Sequence, residues 1–422
     1  MYDVFSLKAF EMPEGFLWGS GYAGHQVEGN NINSDHYFLE QKYFEEKSGL
    51  ACNSYEMYKT DIDLAETLGH QAFRTSVEWS RIEPEEGVFC EEAIAHYVAL
   101  FSQLKEKGLQ TFATLVHFSV PQWFKQKGGF SVEENLKYFK RYVEYIVPKI
   151  APFVDFYNVI NEFNLVKEVD FKVNSVKAHA AGYHIIKKYS SAPVSSAHAL
   201  VQYMPYRPHD RADRIMTDYC DFMDHEFFFH AMRTGELIVP GRDAEYLPDI
   251  KDTVDFWSVN SYTRSMIDAR NSGCGGERYA HKVLKLTDMD FYLEEFYPEC
   301  LIANLTRLTD KPIYITENGC SCTDDRFRIV YLALHLSAIR EAIKMGAQVK
   351  GYLHWSLLDN YEWMSYKPHF GLCEVNRETF ERTPKPSAWF YKELIENNGY
   401  NTEILRRYLH ELPSIGLTAG TP

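Results

Sequence analysis

The chain has 422 residues, of which 45% are hydrophobic and 24% charged, and this excludes a mainly disordered polypeptide. Asp and Glu number 59 against 44 Lys and Arg, a net charge of −15, so a generally basic nucleic-acid footprint is absent. Aromatic residues are abundant, with 28 Phe, 29 Tyr and 7 Trp, and composition alone does not say whether they fill a core or line a site.

In chain order, the start MYDVFSLKAFEMPEG has no basic opening and no long apolar run. That is unlike a secretory signal, and with no apolar stretch long enough to span a bilayer, a cytoplasmic location is expected. A strand-like run at 16–24 leads into an irregular connection at 26–54 and a helical pattern at 55–68. Strand-like runs at 72–79, 110–118 and 153–162 then alternate with helical patterns at 91–107, 131–147 and 176–189. Runs at 193–203 and 252–262 precede a second irregular connection, 263–293. The last strand runs, 311–319 and 350–358, are followed by helices at 325–345 and 386–397. Asn53 or Ser54, Ser131 and Asp324 are the expected helix caps.

Eight strand–helix units predict an α/β fold, a single (β/α)8 barrel over residues 1–422. Polar residues close many of the strands: Gln26, Glu78, His117, Asn161, Glu162, Asn260, Tyr262, Glu317, Asn318 and Trp355. In a barrel those ends converge on one mouth, where active sites are built.

Several motifs have two readings. Gly19 to Gly24 fits a dinucleotide-binding glycine pattern, but His25-Gln26-Val27-Glu28-Gly29 after it looks loop-like, so close backbone packing is expected instead. His225 and His230 lie five apart rather than four, so they do not share a helix face as zinc ligands would. The eight cysteines are expected to be free thiols, and Cys320/Cys322 is C-x-C, not a C-x-x-C redox pair. Asn304-Leu305-Thr306 is a glycosylation sequon expected to be unused. Glu162 and Glu317 each end an apolar strand, where a carboxylate is costly unless bonded. This leaves paired-carboxylate glycoside chemistry and structural ion pairs both open. The stretch from His354 to Trp363 reads equally as a sugar-stacking platform and as a core strand with a polar turn.

In order, the residues Phe16-Leu17-Trp18-Gly19, Gln26, Glu28-Gly29, Arg74 to Ile82, Pro84, His117, Pro121, Asn161-Glu162, Ile315 to Gly319, Trp355 to Trp363, Phe370-Gly371-Leu372 and Pro384 to Phe390 resemble family-one glycoside hydrolases. The resemblance spans Phe16 to about Leu394. It implies a retaining β-glycosidase in which Glu317 is the nucleophile and Glu162 the acid/base. Arg74 and Tyr262 should then hold Glu317 ionised, while the charge of Glu317 raises the pKa of Glu162. Gln26, His117, Asn161, Asn260, Trp355, Glu362 and Trp363 match sugar contacts. Glu362 stands where members acting on 6-phosphosugars usually lack an acid, so an unphosphorylated β-glucoside is expected, with galactosides and fucosides as further substrates. No metal or cofactor is implied, no nucleic acid or membrane partner is expected, and a homo-oligomer is left open.

The chain departs from the family at Phe163, Phe118, Tyr157, Ser261 and the shortened stretch Met364 to His369. These changes bear on sugar preference and rim geometry rather than on the reaction. Aglycone contacts are expected on 163–175, 203–215 and 263–293. The rival readings are a 6-phospho-β-glycosidase, a catalytically weak sugar-binding protein on the same barrel, and, from the glycine run, a nicotinamide oxidoreductase.

Overall fold

The computed structural model describes residues 4–270, 277–278 and 295–413. Eight parallel strands close a barrel in chain order: β1 Leu17–Gly21, β2 Ala72–Ser76, β3 Gln110–Val116, β4 Phe156–Asn161, β5 Val194–Ala199, β6 Trp257–Asn260, β7 Ile313–Asn318 and β8 Val349–Trp355. β8 closes on β1, with Trp355 opposite Gly21. Helices cover the outside: α1 Ser54–Thr67, α2 Glu91–Glu106, α3 Leu136–Ile150, α4 Val169–Tyr189, α5 Arg211–Asp221, α6 Phe227–Thr234, α7 Cys300–Thr306, α8 Asp325–Lys344 and α9 Pro386–Glu396.

The local reasons are readable in the sequence. In α3, Leu136, Phe139, Tyr142, Val143, Ile146, Val147 and Ile150 are all buried, at the three-and-four spacing of one helix face. Asp324 caps α8 by accepting the Arg326 N–H at 3.1 Å. Pro386 opens α9 at a position where its missing N–H costs nothing. All six residues of β4 are buried, as a strand between barrel interior and helices requires.

Inside the barrel, the end away from the mouth is plugged by Phe112, Phe156, Phe256 and Leu353, with Leu17 and Tyr314 against them. Phe112 and Phe156 stack with ring centres 4.2 Å apart. Part of the aromatic excess is therefore barrel core.

The structure corrects several expected boundaries. Ser131 is not the cap of α3, which starts at Leu136; its hydroxyl bonds Glu168 instead. α4 starts at Val169, a turn and a half or more before 176. The connection 26–54 contains a helix, Asp35–Tyr43, capped by the Ser34 hydroxyl. The run 193–203 splits: Val194–Ala199 stays in the barrel, while Gln202–Pro205 pairs in parallel with Arg264–Ile267 in a separate sheet. Residues 211–234, whose start falls in the expected mouth loop 203–215, form α5, a π turn at Phe222–Glu226 and α6. Most of 263–293, and Cys274 with it, lies outside the described residues.

The motif readings can also be placed. Residues Gly24–Val27 form one helical turn, not a loop. A Cβ at Gly24 would meet the Glu78 carboxylate at 2.7 Å and Glu28 at 2.9 Å, so acids rather than a phosphate occupy this turn. A Cβ at Gly19 would fall 2.0 Å from the Ala72 carbonyl, the close packing expected of the glycine run. His225 bonds His198 at 3.0 Å and the Val201 carbonyl, whereas His230 bonds Glu236, so the two histidines have separate partners. The seven described cysteines are free. Asn304 is 1% exposed and its amide donates to Leu200 and Ser261, which leaves no reachable nitrogen for glycosylation in the folded chain. No described helix is long and apolar enough to cross a membrane.

Candidate active site

Three strands of the barrel, β4, β6 and β7, change register at their C-terminal ends. Such irregularities re-aim side chains, and these strands deliver Asn161, Asn260 and Glu317. Glu162 follows β4 in a left-handed conformation at φ 47°. β4 and β7 are three strands apart around a ring where four is the maximum, so the two glutamates approach from nearly opposite sides of the mouth.

Glu317 is 4% exposed. One of its oxygens takes a hydrogen bond from Arg74 Nη1, and the other takes one from the Tyr262 hydroxyl at 2.8 Å. Arg74 comes from β2, where burial forces it to spend its donors: Nη2 reaches Asn161 Oδ1 at 2.7 Å and Nε reaches Thr114 at 3.2 Å. The Asn260 amide bridges the two halves, donating to Asn161 Oδ1 at 3.1 Å and to Glu162 Oε1 at 2.8 Å. Its own carbonyl accepts from Thr316 at 2.7 Å, which fixes the direction of the amide. Thus a continuous chain of bonds, Glu317–Arg74–Asn161–Asn260–Glu162, ties the carboxyl groups into one unit.

A second group lines the opposite wall. Gln26 donates to Asn360 at 2.9 Å and to Glu362 at 3.0 Å, while its Oε1 is buried without a protein partner. The Trp355 indole N–H donates to Glu362 at 3.3 Å. Burial pushes the Glu362 carboxyl from an ordinary 4.5 up to about 8, helped by the nearby charge of Glu317. His117 stacks between Trp355 and Trp363, at 5.8 and 5.9 Å. Its Nε2 accepts from the Asn161 amide at 3.2 Å. Burial first, and then Arg74, holds its pKa well below the usual value, so the ring is neutral. The Trp355–Ser356 peptide is cis.

All eleven predicted site residues therefore gather at this mouth. Others were missed. Asn360 accepts from Gln26; Thr316 orients Asn260; His25 and His36 pack on Trp363 at 5.7 and 4.9 Å. Asn360 lies 334 residues from Gln26 in sequence, and no local spacing signals that contact. Below Gln26, Glu78 accepts from the His25 N–H, Asn31 and Ser119. Three of the departures from the family pattern have local partners: Phe163 packs edge-on to Phe227 and Phe228, Phe118 edge-on to Trp363, and His369 bonds Asp359, whereas the buried Tyr157 hydroxyl has no protein partner among the described residues.

Among known proteins, a β-glycosidase from Pyrococcus horikoshii is 32% identical, superimposes with a TM-score of 0.88, and covers 95% of this chain and 98% of its own. A family 1 β-glucosidase from Thermotoga maritima is 25% identical with a TM-score of 0.86, over 94% of this chain and all of its own. A 6-phospho-β-galactosidase from Leptotrichia buccalis is 29% identical over 92% of this chain and 98% of its own. The model of glycosyl hydrolase family 1 matches residues 8–201 and 171–400. With a paired-carboxyl mouth on a closed parallel barrel and a family match along nearly its whole length, this chain belongs to glycosyl hydrolase family 1.

Proposed function

We propose that the protein is a retaining, exo-acting β-glycosidase that uses Glu317 as nucleophile and Glu162 as acid/base. The observation that carries this is that one chain of hydrogen bonds joins two buried carboxyl groups at the barrel mouth. Glu317 is gripped through both oxygens, by Arg74 and Tyr262, which aims it for attack on an anomeric carbon. The Asn260 amide reaches Glu162, so the group that moves a proton is oriented by an amide. In the first step Glu317 bonds the anomeric carbon as Glu162 gives its proton to the leaving oxygen. In the second, Glu162 takes a proton from water, which displaces Glu317 with net retention. Asn161, Asn260, Gln26, His117, Trp355, Glu362 and Trp363 hold the glycone, and the unpaired Gln26 Oε1 is an acceptor for a sugar hydroxyl.

Two glycones have support. The curated relatives are named 6-phospho-β-galactosidase, which favours a 6-phosphorylated sugar over a neutral one. The site favours an unphosphorylated hexose. Glu362 occupies the sugar-binding wall, and among the described residues no Lys or Arg bonds Gln26, Asn360, Glu362 or Trp355. With a pKa of about 8, Glu362 is largely protonated at neutral pH. It can donate to a hydroxyl, and its charge is a weaker barrier to phosphate than the sequence suggests. On this reading the protein is a β-glucosidase-type enzyme of the cytoplasm. Beside Asn161, an apolar recess of about 160 Å³ lined by Phe118, Phe130, Phe163 and Phe171 suits an apolar aglycone.

A panel of nitrophenyl glycosides tests this: β-glucoside, β-galactoside, β-fucoside, and the 6-phosphorylated glucoside and galactoside. Turnover of the neutral members is expected. Turnover of the phosphorylated members alone selects the second glycone. Binding across the panel without turnover makes the protein a sugar-binding module. Glu162→Ala should impair substrates with poor leaving groups far more than nitrophenyl substrates.

A further inference from the structure

β7 ends at Asn318, and the chain continues through Gly319 to Cys320, Ser321 and Cys322. The two thiols are 1% and 4% exposed and hydrogen-bond each other. Beside them lies Arg328, fully buried, with its Nε lacking a protein partner. Its other nitrogens reach Asp325 and the carbonyls of His369 and Cys320. Lys385 adds a second positive charge, and Asp325 opposes both.

From this juxtaposition we propose that Cys320 and Cys322 are a peroxide-oxidised dithiol site, which forms a disulfide immediately after the strand bearing Glu317. The hydrogen bond from Cys320 draws the Cys322 thiol from an ordinary 9 down to about 7, against burial and with the help of Arg328. Cys52, equally buried but without a thiol neighbour, is pushed up to about 11, and Cys373 is also raised. Cys52 also meets a guanidinium, that of Arg377 at 3.4 Å, so what sets Cys322 apart is the paired thiol of Cys320.

The chemistry balances with a hydroperoxide as oxidant. The Cys322 thiolate attacks one peroxide oxygen, so an S–O bond forms, the O–O bond breaks, and the departing hydroxide leaves as water. Cys320 then attacks the Cys322 sulfenic acid, forming the S–S bond and releasing a second water. Two thiols and one hydrogen peroxide give one disulfide and two waters.

The segment has little room to adjust. Cys322 N–H donates to the His369 carbonyl at 3.2 Å, the Ser321 hydroxyl accepts from the His369 N–H at 2.9 Å, and a Cβ at Gly319 would lie 1.9 Å from the Trp355 carbonyl. Closing a ring over one intervening residue shifts this pinned backbone, and the shift reaches Glu317 on one side and the 359–371 segment on the other. Oxidation is expected to suppress hydrolysis.

The test treats the full-length protein with hydrogen peroxide, alkylates it, and follows the peptide containing residues 320–322 by mass spectrometry alongside hydrolysis. The expected result is loss of two hydrogens from that peptide, resistance to alkylation until dithiothreitol is added, and hydrolysis that falls and returns with the thiols. Bulky aromatic disulfide reagents should react with this pair slowly. Cys320→Ser should stop at a Cys322 sulfenic acid, read as a gain of one oxygen on that peptide with no loss of two hydrogens, which dithiothreitol returns to the thiol. Cys322→Ser should leave the peptide unoxidised and hydrolysis resistant to peroxide. A fully alkylated wild-type peptide after peroxide overturns the site. A disulfide with unchanged hydrolysis, or equal inactivation of Cys322→Ser, overturns its link to the active site. The thiol readout stands whichever glycoside is hydrolysed, and also if none is.

Discussion

The two ends of the barrel interior are built from the same strands. On β4, Phe156 packs into the closed end while Asn161 reaches the mouth. On β7, Tyr314 lies against the plug and Glu317 joins the site; on β3, Phe112 fills the plug and His117 follows the strand into the mouth. One end is a stack of rings, and the other is a chain of hydrogen bonds running through an arginine. The difference teaches where each kind of energy is placed. Apolar burial supplies stability at the closed end. At the mouth, the buried Glu317, Arg74, Asn161 and Asn260 are kept by the hydrogen bonds that join them.

That division can be broken most sharply at Glu317. Glu317→Gly should lower hydrolysis by roughly four orders of magnitude or more while circular dichroism and thermal unfolding stay near wild type. Added azide should yield an α-glycosyl azide. Full activity in this variant would sink the assignment of the nucleophile. At the other end, Phe156→Ala should cost about 3–5 kcal/mol of stability by leaving a cavity in the ring stack. Its kcat per folded molecule should be near normal. Denaturant unfolding with active-site titration measures both, and a large fall in kcat at unchanged stability would contradict the division.

Tyr262→Phe removes one of the two donors on Glu317 and should lower kcat roughly 10- to 100-fold, at the low end of what loss of one preorganised donor costs because Arg74 remains. Stability should change little. A change confined to KM would place Tyr262 outside the reacting group.

At Glu362 the expected effect is on how stability depends on pH. Its carboxyl pKa is raised from 4.5 to about 8, so the folded state holds a proton that the unfolded state has lost. Stability from this group is present below about pH 4.5 and declines as pH rises toward about 8. Glu362→Gln should flatten that decline, with the variant gaining on wild type at alkaline pH in thermal unfolding. Parallel profiles for the two proteins would contradict the burial argument.

Much of this was legible in the sequence. Eight apolar runs alternating with helical patterns were enough for a (β/α)8 barrel, because strands covered on both faces must be apolar throughout and their connections must be helical. The candidate residues were legible as polar groups at strand ends and through the ordered family motifs. Boundaries were less so. Ser131 looks like a cap, yet its hydroxyl is engaged by Glu168, and the 193–203 run looks like one strand yet serves two sheets.

What the sequence determined by itself was the order of the eight barrel strands and the presence of polar groups at their ends, since periodicity and chemical type are local properties; the two glutamates were singled out by the family resemblance. What only the tertiary structure decided was their partnership. Arg74 reaches Glu317 across 243 residues, Gln26 meets Asn360 across 334, and Asn260 chooses between amide orientations because Thr316 donates to it. The same holds for Glu362, whose proton affinity depends on how completely the folded chain excludes water and on the charge placed beside it. Hydrogen bonds and desolvation act through space, and closure of the barrel is what brings these distant strand ends within their range.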